Sequence, residues 1–336
     1  MSSSPSRVVD FPTYSKPALD FPRPIPLYFR VINMSCHMIK ATHYQYSATL
    51  YHELCPIRVC WSMYRPDSRL KDGLLVSARG LETSSHNGWA YKIAGLSIRS
   101  MPMPDLNLFH TVPSGWVTDR TLIQKAVNLV ECMDPHQRHL FNALFWNRER
   151  FYRFCTGPSS LQNHHSTRHG NLRHSVETAI RMQRDSEESG QLLDAGLCIL
   201  LGLLHDAGKC DEYQLGRHNQ WIMSDRGSLV GHKVTITEWI AVARAVYCKN
   251  FPESIYLSLL HCLNSAHNAP QWLGIRESVM LEAHLLSGND RTSGKLDLFK
   301  RMAPPTNAGW GTSHVHMKYR PYFAGMSRPC LVEAKF

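Results

Sequence analysis

The segment LLDAGLCILLGLLHDAG, Leu192 to Gly208, constrains this chain more than any other. It is apolar around the whole helical circumference, so a helix built from it has to be enclosed by other elements. About 13 residues precede His205, whereas a membrane span needs roughly 20. The expectation is therefore a buried central helix. It ends in polar residues: His205 and Asp206, then Gly208 and Lys209. An imidazole and a carboxylate in that position carry a desolvation cost unless a metal or hydrogen bonds offset it.

Around this segment the chain changes character twice. Residues 1–24 hold Pro5, Pro12, Pro17, Pro22 and Pro24 among serines, as in a flexible lead. From residue 25 come five β-rich runs, IPLYFRVI, YSATLY, IRVCWSM, LLVSARGLE and WAYKIAGLSI, with Asn87-Gly88 marking a tight hairpin before the last. Five short strands within residues 25–110 predict a small barrel of the OB type, the five-stranded form that binds oligonucleotides. Trp61 and Trp89, with Tyr64 and Tyr91, are candidate stacking faces for bases. Filling the barrel core is the competing use for each of them. After Pro113 the spacing becomes helical, opening with Thr118 as the expected N-cap of TDRTLIQKAVNLVECM. The predicted class is α+β: a β-barrel at 25–110, a helical connector at 111–160, an all-α unit at 161–300 and an irregular tail at 301–336.

A formal charge of +10 favours polyanionic partners, nucleic acid first among them, although a basic surface also serves solubility. The ten cysteines form no C-x-x-C pair, which excludes a zinc ribbon or a thioredoxin-type motif. With no signal-like N-terminus and no long apolar run, the expected setting is cytoplasmic, without membrane contact. The sequence gives no oligomeric state.

Ten of the 19 histidines lie between residues 160 and 300, and metal-competent side chains recur about once per predicted helix. His174 sits in NLRHSVETAIRMQ, His232 opens GHKVTITEWIAVARA, His261 and His267 bracket a helix end, and Asp290 closes the set. Such recurrence suits metal or phosphate chemistry. These residues, in this order, resemble the HD-domain phosphohydrolases, and within them the YhaM-type 3′-to-5′ exoribonucleases, which join an OB-fold to an HD domain. The resemblance spans about residues 25–300. It is carried by His164, His165 and His174 with Gly170 between them; by His205, Asp206, Gly208 and Lys209; and by Gly231 and His232. Leu259, His261, Leu263, Ser265 and His267 continue it, followed by Glu282, Ala283, Leu286, Asp290 and Lys295. The chain departs from the pattern at Ala266, where the family has the first of two adjacent histidines. It departs again at Ser293, where an aspartate is usual, and at His169, where a glycine is usual.

The resemblance implies a metal-dependent phosphodiesterase, a 3′-to-5′ exonuclease acting on single-stranded RNA first and DNA second. It implies that His174, His205, Asp206 and Asp290 hold one divalent ion, manganese first and iron or others next. Asp206 would bridge to a second ion held by His232 and His267, with His261 as a substitute ligand. Asp206 and Lys209 are the candidate catalytic pair, Lys209 steadying phosphoryl oxygens, and His164 and His165 are candidate substrate contacts. Three other readings stand beside this one: a relaxase-like protein of a conjugative element, a nucleic-acid-binding protein with a decayed HD site, and an HD nucleotidase.

Overall fold

The computed structural model describes residues 26–81, 85–86, 90–190, 192–306, 308–315 and 317–325. The lead segment, the Asn87-Gly88 turn and Trp89 lie outside the described residues. The chain is a mixed α+β molecule, with a curled sheet followed by a helical region.

Seven strands make the sheet: β1 (Phe29–Lys40), β2 (His43–Tyr51), β3 (Ile57–Met63), β4 (Leu75–Arg79), β5 (Ser85–His86), β6 (Ala90–Lys92) and β7 (Gly95–Ile98). Their order is β5-β6-β3-β2-β1-β4-β7, antiparallel except for β3 with β6. The run WAYKIAGLSI, expected as one strand, divides: β6 joins β3 near one edge, while β7 joins β4 at the other. That division forces the curl. Three residue steps from Lys92 to Gly95 reach about 11 Å at most, yet β6 and β7 would stand about 24 Å apart across five spacings of a flat sheet. Register shifts in β1 between Ile32 and Ser35 and between Met38 and Lys40 mark bulges, which bend a strand. Edge strands β5 and β7 are not paired with each other, so among the described residues the sheet is a half-barrel rather than a closed one.

Alternation along β2 and β3 sends Tyr46, Ala48, Leu50, Ile57, Val59 and Trp61 into the concave core with Phe29, Val31 and Val76. Trp61 is 2% exposed and stacks on Tyr46 at 5.1 Å. It fills the core and cannot offer a face to a base, which corrects the stacking role expected for it. Tyr64, by contrast, is exposed.

The helical region begins with α1 (Arg120–Glu131), α2 (Pro135–Phe145) and α3 (Arg148–Thr156), followed by α4 (Gly170–Glu188) and α5 (Ala195–Leu204). Next come the one-turn α6 (Lys209–Glu212), the hairpin β8 (Tyr213–Leu215) with β9 (Trp221–Met223), and the short α7 (Asp225–Leu229). The long helices α8 (His232–Val246), α9 (Glu253–Asn264) and α10 (Leu281–Met302) follow, and a two-stranded ribbon, β10 (Ala308–Trp310) with β11 (Tyr322–Ala324), comes last. Asp119 rather than Thr118 caps α1, its carboxylate accepting from Leu122 N–H at 3.0 Å.

The apolar run forms α5 as expected. Asp194 caps it, accepting from Leu197 N–H at 2.8 Å, and every residue from Gly196 to Leu204 is buried. Helix α5 is thus the axis of the helical core, with α4 on one side. Gly202 makes that neighbour possible, because a Cβ there would stand 2.4 Å from Ala179 Cα. Among the described residues no helix is long and apolar enough to cross a membrane.

Arg30 pins the two regions together. It is 2% exposed, gives Nε and Nη2 to Thr111 and Nη1 to the Gly73 carbonyl at 2.7 Å, and lies 4.8 Å from the Trp116 ring. Burial lowers its pKa to about 10, so the guanidinium stays charged at neutral pH. An acceptor at each of its three nitrogens is what makes burying that charge tolerable.

Candidate metal centre

The close approach of α4 to α5 brings His174 and His205 together edge-on, with their Nε2 atoms 3.1 Å apart. Asp290, on α10, places Oδ1 at 3.0 Å from His174 Nε2 and 3.7 Å from His205 Nε2. Asp206 Oδ2 lies 3.2 Å from His174 Nε2 and 3.7 Å from His205 Nε2. Two imidazole nitrogens and two carboxylates thus converge on one point, and the His174, His205 and Asp290 donors satisfy the spacing of a shared cation. His174 is fully buried, His205 and Asp206 nearly so, while the Asp290 side chain keeps 42% exposure and marks the open side.

The outer atoms of each ring fix which nitrogen faces inward. His205 Nδ1 lies 2.9 Å from the Gly202 carbonyl, which can only accept, so Nδ1 carries the proton. Ser293 donates its hydroxyl to Glu177 Oε2 at 3.0 Å, leaving its oxygen to accept from His174 Nδ1 at 3.1 Å. Both Nε2 lone pairs are thereby directed at the same point, the arrangement that a divalent metal uses. This donor set fits a nitrogen- and oxygen-ligated divalent ion.

The electrostatics agree. Burial favours neutral His174, but hydrogen bonds to Asp206 and Asp290 outweigh it and raise the pKa to about 9. In the metal-free protein a proton therefore sits where a cation would, and the two compete. Burial would raise the Asp206 carboxyl, yet Lys209, His205 and His174 hold it well below the usual range. Asp290 is likewise held low against its burial by His174 and His205.

Asp206 shows a different face on each oxygen. Lys209 Nζ lies 2.6 Å from Oδ2, where the Ser159 hydroxyl also donates at 3.2 Å, whereas His232 Nε2 stands 3.6 Å from Oδ1. His232 is turned there by Glu212 Oε2, 2.7 Å from its Nδ1. Gly208 permits this approach, since a Cβ on it would meet the His232 carbonyl oxygen at 2.2 Å.

The other expected ligands lie elsewhere. His261 Nε2 accepts from Val279 N–H at 3.1 Å, and His267, 68% exposed, pairs with Glu277 at 3.0 Å. Neither shares a hydrogen bond or ion pair with the cluster among the described residues. His165, expected to touch substrate, is 4% exposed and sits behind His174 between Glu177 and Asp297. Burial, then neighbouring His174, lowers its pKa to about 4. His164 is half-buried, its ring 5.3 Å from that of His174.

Four participants were missed from sequence: Ser159, Glu177, Glu212 and Asp297. Glu177 and Glu212 had a signal available, each falling three residues after a site residue on the same helix, His174 and Lys209 respectively. Ser159 had none.

A helical core that focuses three buried donors and the half-exposed Asp290 on one point, beside a curled sheet, defines a candidate divalent-metal centre. Among curated proteins, the chain is similar to the 3′-5′ exoribonuclease YhaM of Bacillus licheniformis. The two are 25% identical over 208 residues, covering 57% of this chain and 64% of that protein. The match thus spans less than two thirds of the relative. No protein-family model matches the chain, and no solved structure matches it.

Proposed function

We propose that this protein is a metal-dependent phosphodiesterase of the HD type, shortening single-stranded nucleic acid, RNA in preference to DNA, from the 3′ end. The observation that carries the reading is the convergence of His174, His205, Asp206 and Asp290 with both outer ring nitrogens already satisfied. The exoribonuclease similarity supplies the reaction class and the polarity of attack.

In this reading those four residues hold one ion, manganese first. A divalent cation supplies Lewis acidity toward a phosphoryl oxygen and activation of water at neutral pH. Asp206 presents Oδ1 toward His232, the side on which a second ion belongs, but the pairing of His267 with Glu277 leaves that side short of a ligand. One ion per chain is the reading favoured by this geometry.

The remaining chemistry falls to the protein's own side chains. Lys209 balances the Asp206 charge at 2.6 Å and is positioned to follow charge as it moves onto phosphoryl oxygens. Asp290, the most exposed of the four, faces the side from which a strand end enters. The half-barrel, with ten Lys or Arg against five Asp or Glu between Arg23 and His110, is assigned the OB-like task of holding the strand. It does so through phosphate neutralisation, since Trp61 is occupied in the core.

The test is incubation of 5′-labelled single-stranded RNA and DNA with and without Mn²⁺. The expected outcome is a ladder shortening from the 3′ end only with metal, faster on RNA, and slowed by about three orders of magnitude or more in Asp206→Asn. Metal-independent cleavage, or full activity in that variant, overturns the proposal.

A further inference from the structure

The metal centre has a neighbour that it does not use. A cavity of about 530 Å³ lies between α3 and the β8–β9 hairpin; its lining includes Tyr152, Arg153, Arg168, Gln214, Asn219 and Trp221, with Glu149 paired to Arg153 at 3.5 Å. Its size is that of a small-molecule site. Its walls continue directly from the centre: α3 runs through Gly157 to Ser159, which bonds Asp206, and α6 runs from Lys209 into β8.

The lining is specific in chemistry. Trp221 is half-buried at one wall, and Tyr152, half-buried too, is held edge-on against Trp116 at 5.1 Å. The side-chain amides of Gln214 and Asn219 make no hydrogen bond among the described residues, so both donors and acceptors remain open. The two arginines differ. Arg153 is committed to Asp211 Oδ1 at 3.1 Å and to the Cys210 carbonyl at 3.0 Å. Arg168 is exposed and pairs with no carboxylate among the described residues, making only long contacts of 3.3 and 3.4 Å to the carbonyls of Gly115 and Trp116.

From this we infer that the cavity between α3 and the β8–β9 hairpin is a nucleotide-binding subsite, taking a base against Trp221 and a phosphate at Arg168. An aromatic wall stacks any base, open amides pair with a base edge, and an unpaired guanidinium takes a phosphate. A purely apolar ligand leaves the amides and Arg168 unsatisfied; a bare anion leaves the aromatic wall unused. The inference rests on the nucleic-acid reading above, which makes the occupant a nucleotide of the strand beside the one being released.

The experiment is direct binding to the full-length, chelator-treated chain by isothermal titration, with adenosine 5′-monophosphate, ribose 5-phosphate and adenosine as probes. Wild type, Asp206→Asn, Trp221→Ala and Arg168→Glu are compared, after circular dichroism shows that each is folded. The monophosphate is expected to bind wild type and Asp206→Asn alike, at least tenfold tighter than either fragment. Trp221→Ala should weaken it about tenfold, the scale of one stacked base. Arg168→Glu, a change on an exposed side chain, should weaken the monophosphate while leaving adenosine unaffected. Equal affinity for the monophosphate and ribose 5-phosphate, or unaltered binding in both pocket variants, overturns the subsite. Mn²⁺-dependent strand cleavage by the same wild-type sample, compared with Asp206→Asn, decides the phosphodiesterase reading separately. Failure of one is thus distinct from failure of the other.

Discussion

The histidines of the helical region fall into two sets that the structure treats in opposite ways. Around α4 and α5, His165, His174 and His205 are buried, and each ring is fixed by a serine, a carbonyl or a carboxylate. Around the end of α9, His267 lies in solvent against Glu277, and His261 is taken by a backbone N–H. Polar side chains are buried only where something compensates them. The first set therefore has the compensated, converging geometry of a candidate cation site, and the second does not. The same histidine-rich sequence yields one convergent cluster and one dispersed flank, with Asp206 and His232 on the border between them.

The contrast can be broken hardest at the helix contact that creates the first set. Gly202→Ala inserts a methyl group 2.4 Å from Ala179 Cα, so α4 and α5 must separate. The expected cost is about 3 kcal/mol of stability, with loss of metal uptake, read by denaturant unfolding and metal titration. Stability lost without any change in metal affinity would mean that helix spacing does not set the His174–His205 distance.

Acid tests burial itself. His52, 3% exposed at the junction and stacked on His110, has its pKa lowered to about 4 by burial and then by His110. The unfolded chain binds the proton near pH 6.5, whereas the native state resists it until about pH 4. The neutral ring therefore stabilises the fold above pH 6.5, and that contribution is lost as pH falls through 4. It amounts to about 3 kcal/mol for this residue. His52→Gln should flatten the decline between pH 6.5 and 4 in urea unfolding; an unchanged profile refutes the assignment.

Smaller effects distinguish support from ligation. Ser293→Ala removes the acceptor of His174 Nδ1 and the link to Glu177, and should weaken metal affinity by about 10- to 100-fold while the fold persists. Glu177→Gln should do the same more mildly. The smallest effect is expected on the exposed flank, where His267→Ala should change metal affinity by less than about threefold, as suits a solvent-exposed pair. A loss as large as that from Ser293→Ala would bring His267 into the centre and remove the distinction.

Much of this was legible from local pattern. The all-round apolar run identified α5, and the order His174, His205, Asp206, Asp290 named the converging donors. Helical period and burial are properties of single segments, which a sequence displays directly. What stayed hidden depends on pairing between distant segments. The division of WAYKIAGLSI into β6 and β7 follows from strand partners at opposite edges, and its apolar content looks the same either way. Trp61 reads from sequence as core more readily than as a stacking face, and β2 decides it by supplying Tyr46 beneath the ring. Ser293 looked like a departure from a pattern, and only the fold reveals that Glu177 reaches it from another helix. His267 matched a ligand by spacing, but spacing cannot say that Glu177's counterpart on that side, Glu277, turns it outward.

The central claim is that His174, His205, Asp206 and Asp290 form one metal centre, and metal content tests it most directly. The full-length protein, produced with manganese supplementation and purified without chelator, should carry close to one divalent ion per chain by elemental analysis. Asp206→Ala, prepared identically and shown to be folded, should carry less than a tenth of that. Equal metal in the two proteins, whether substantial or negligible, would contradict the account.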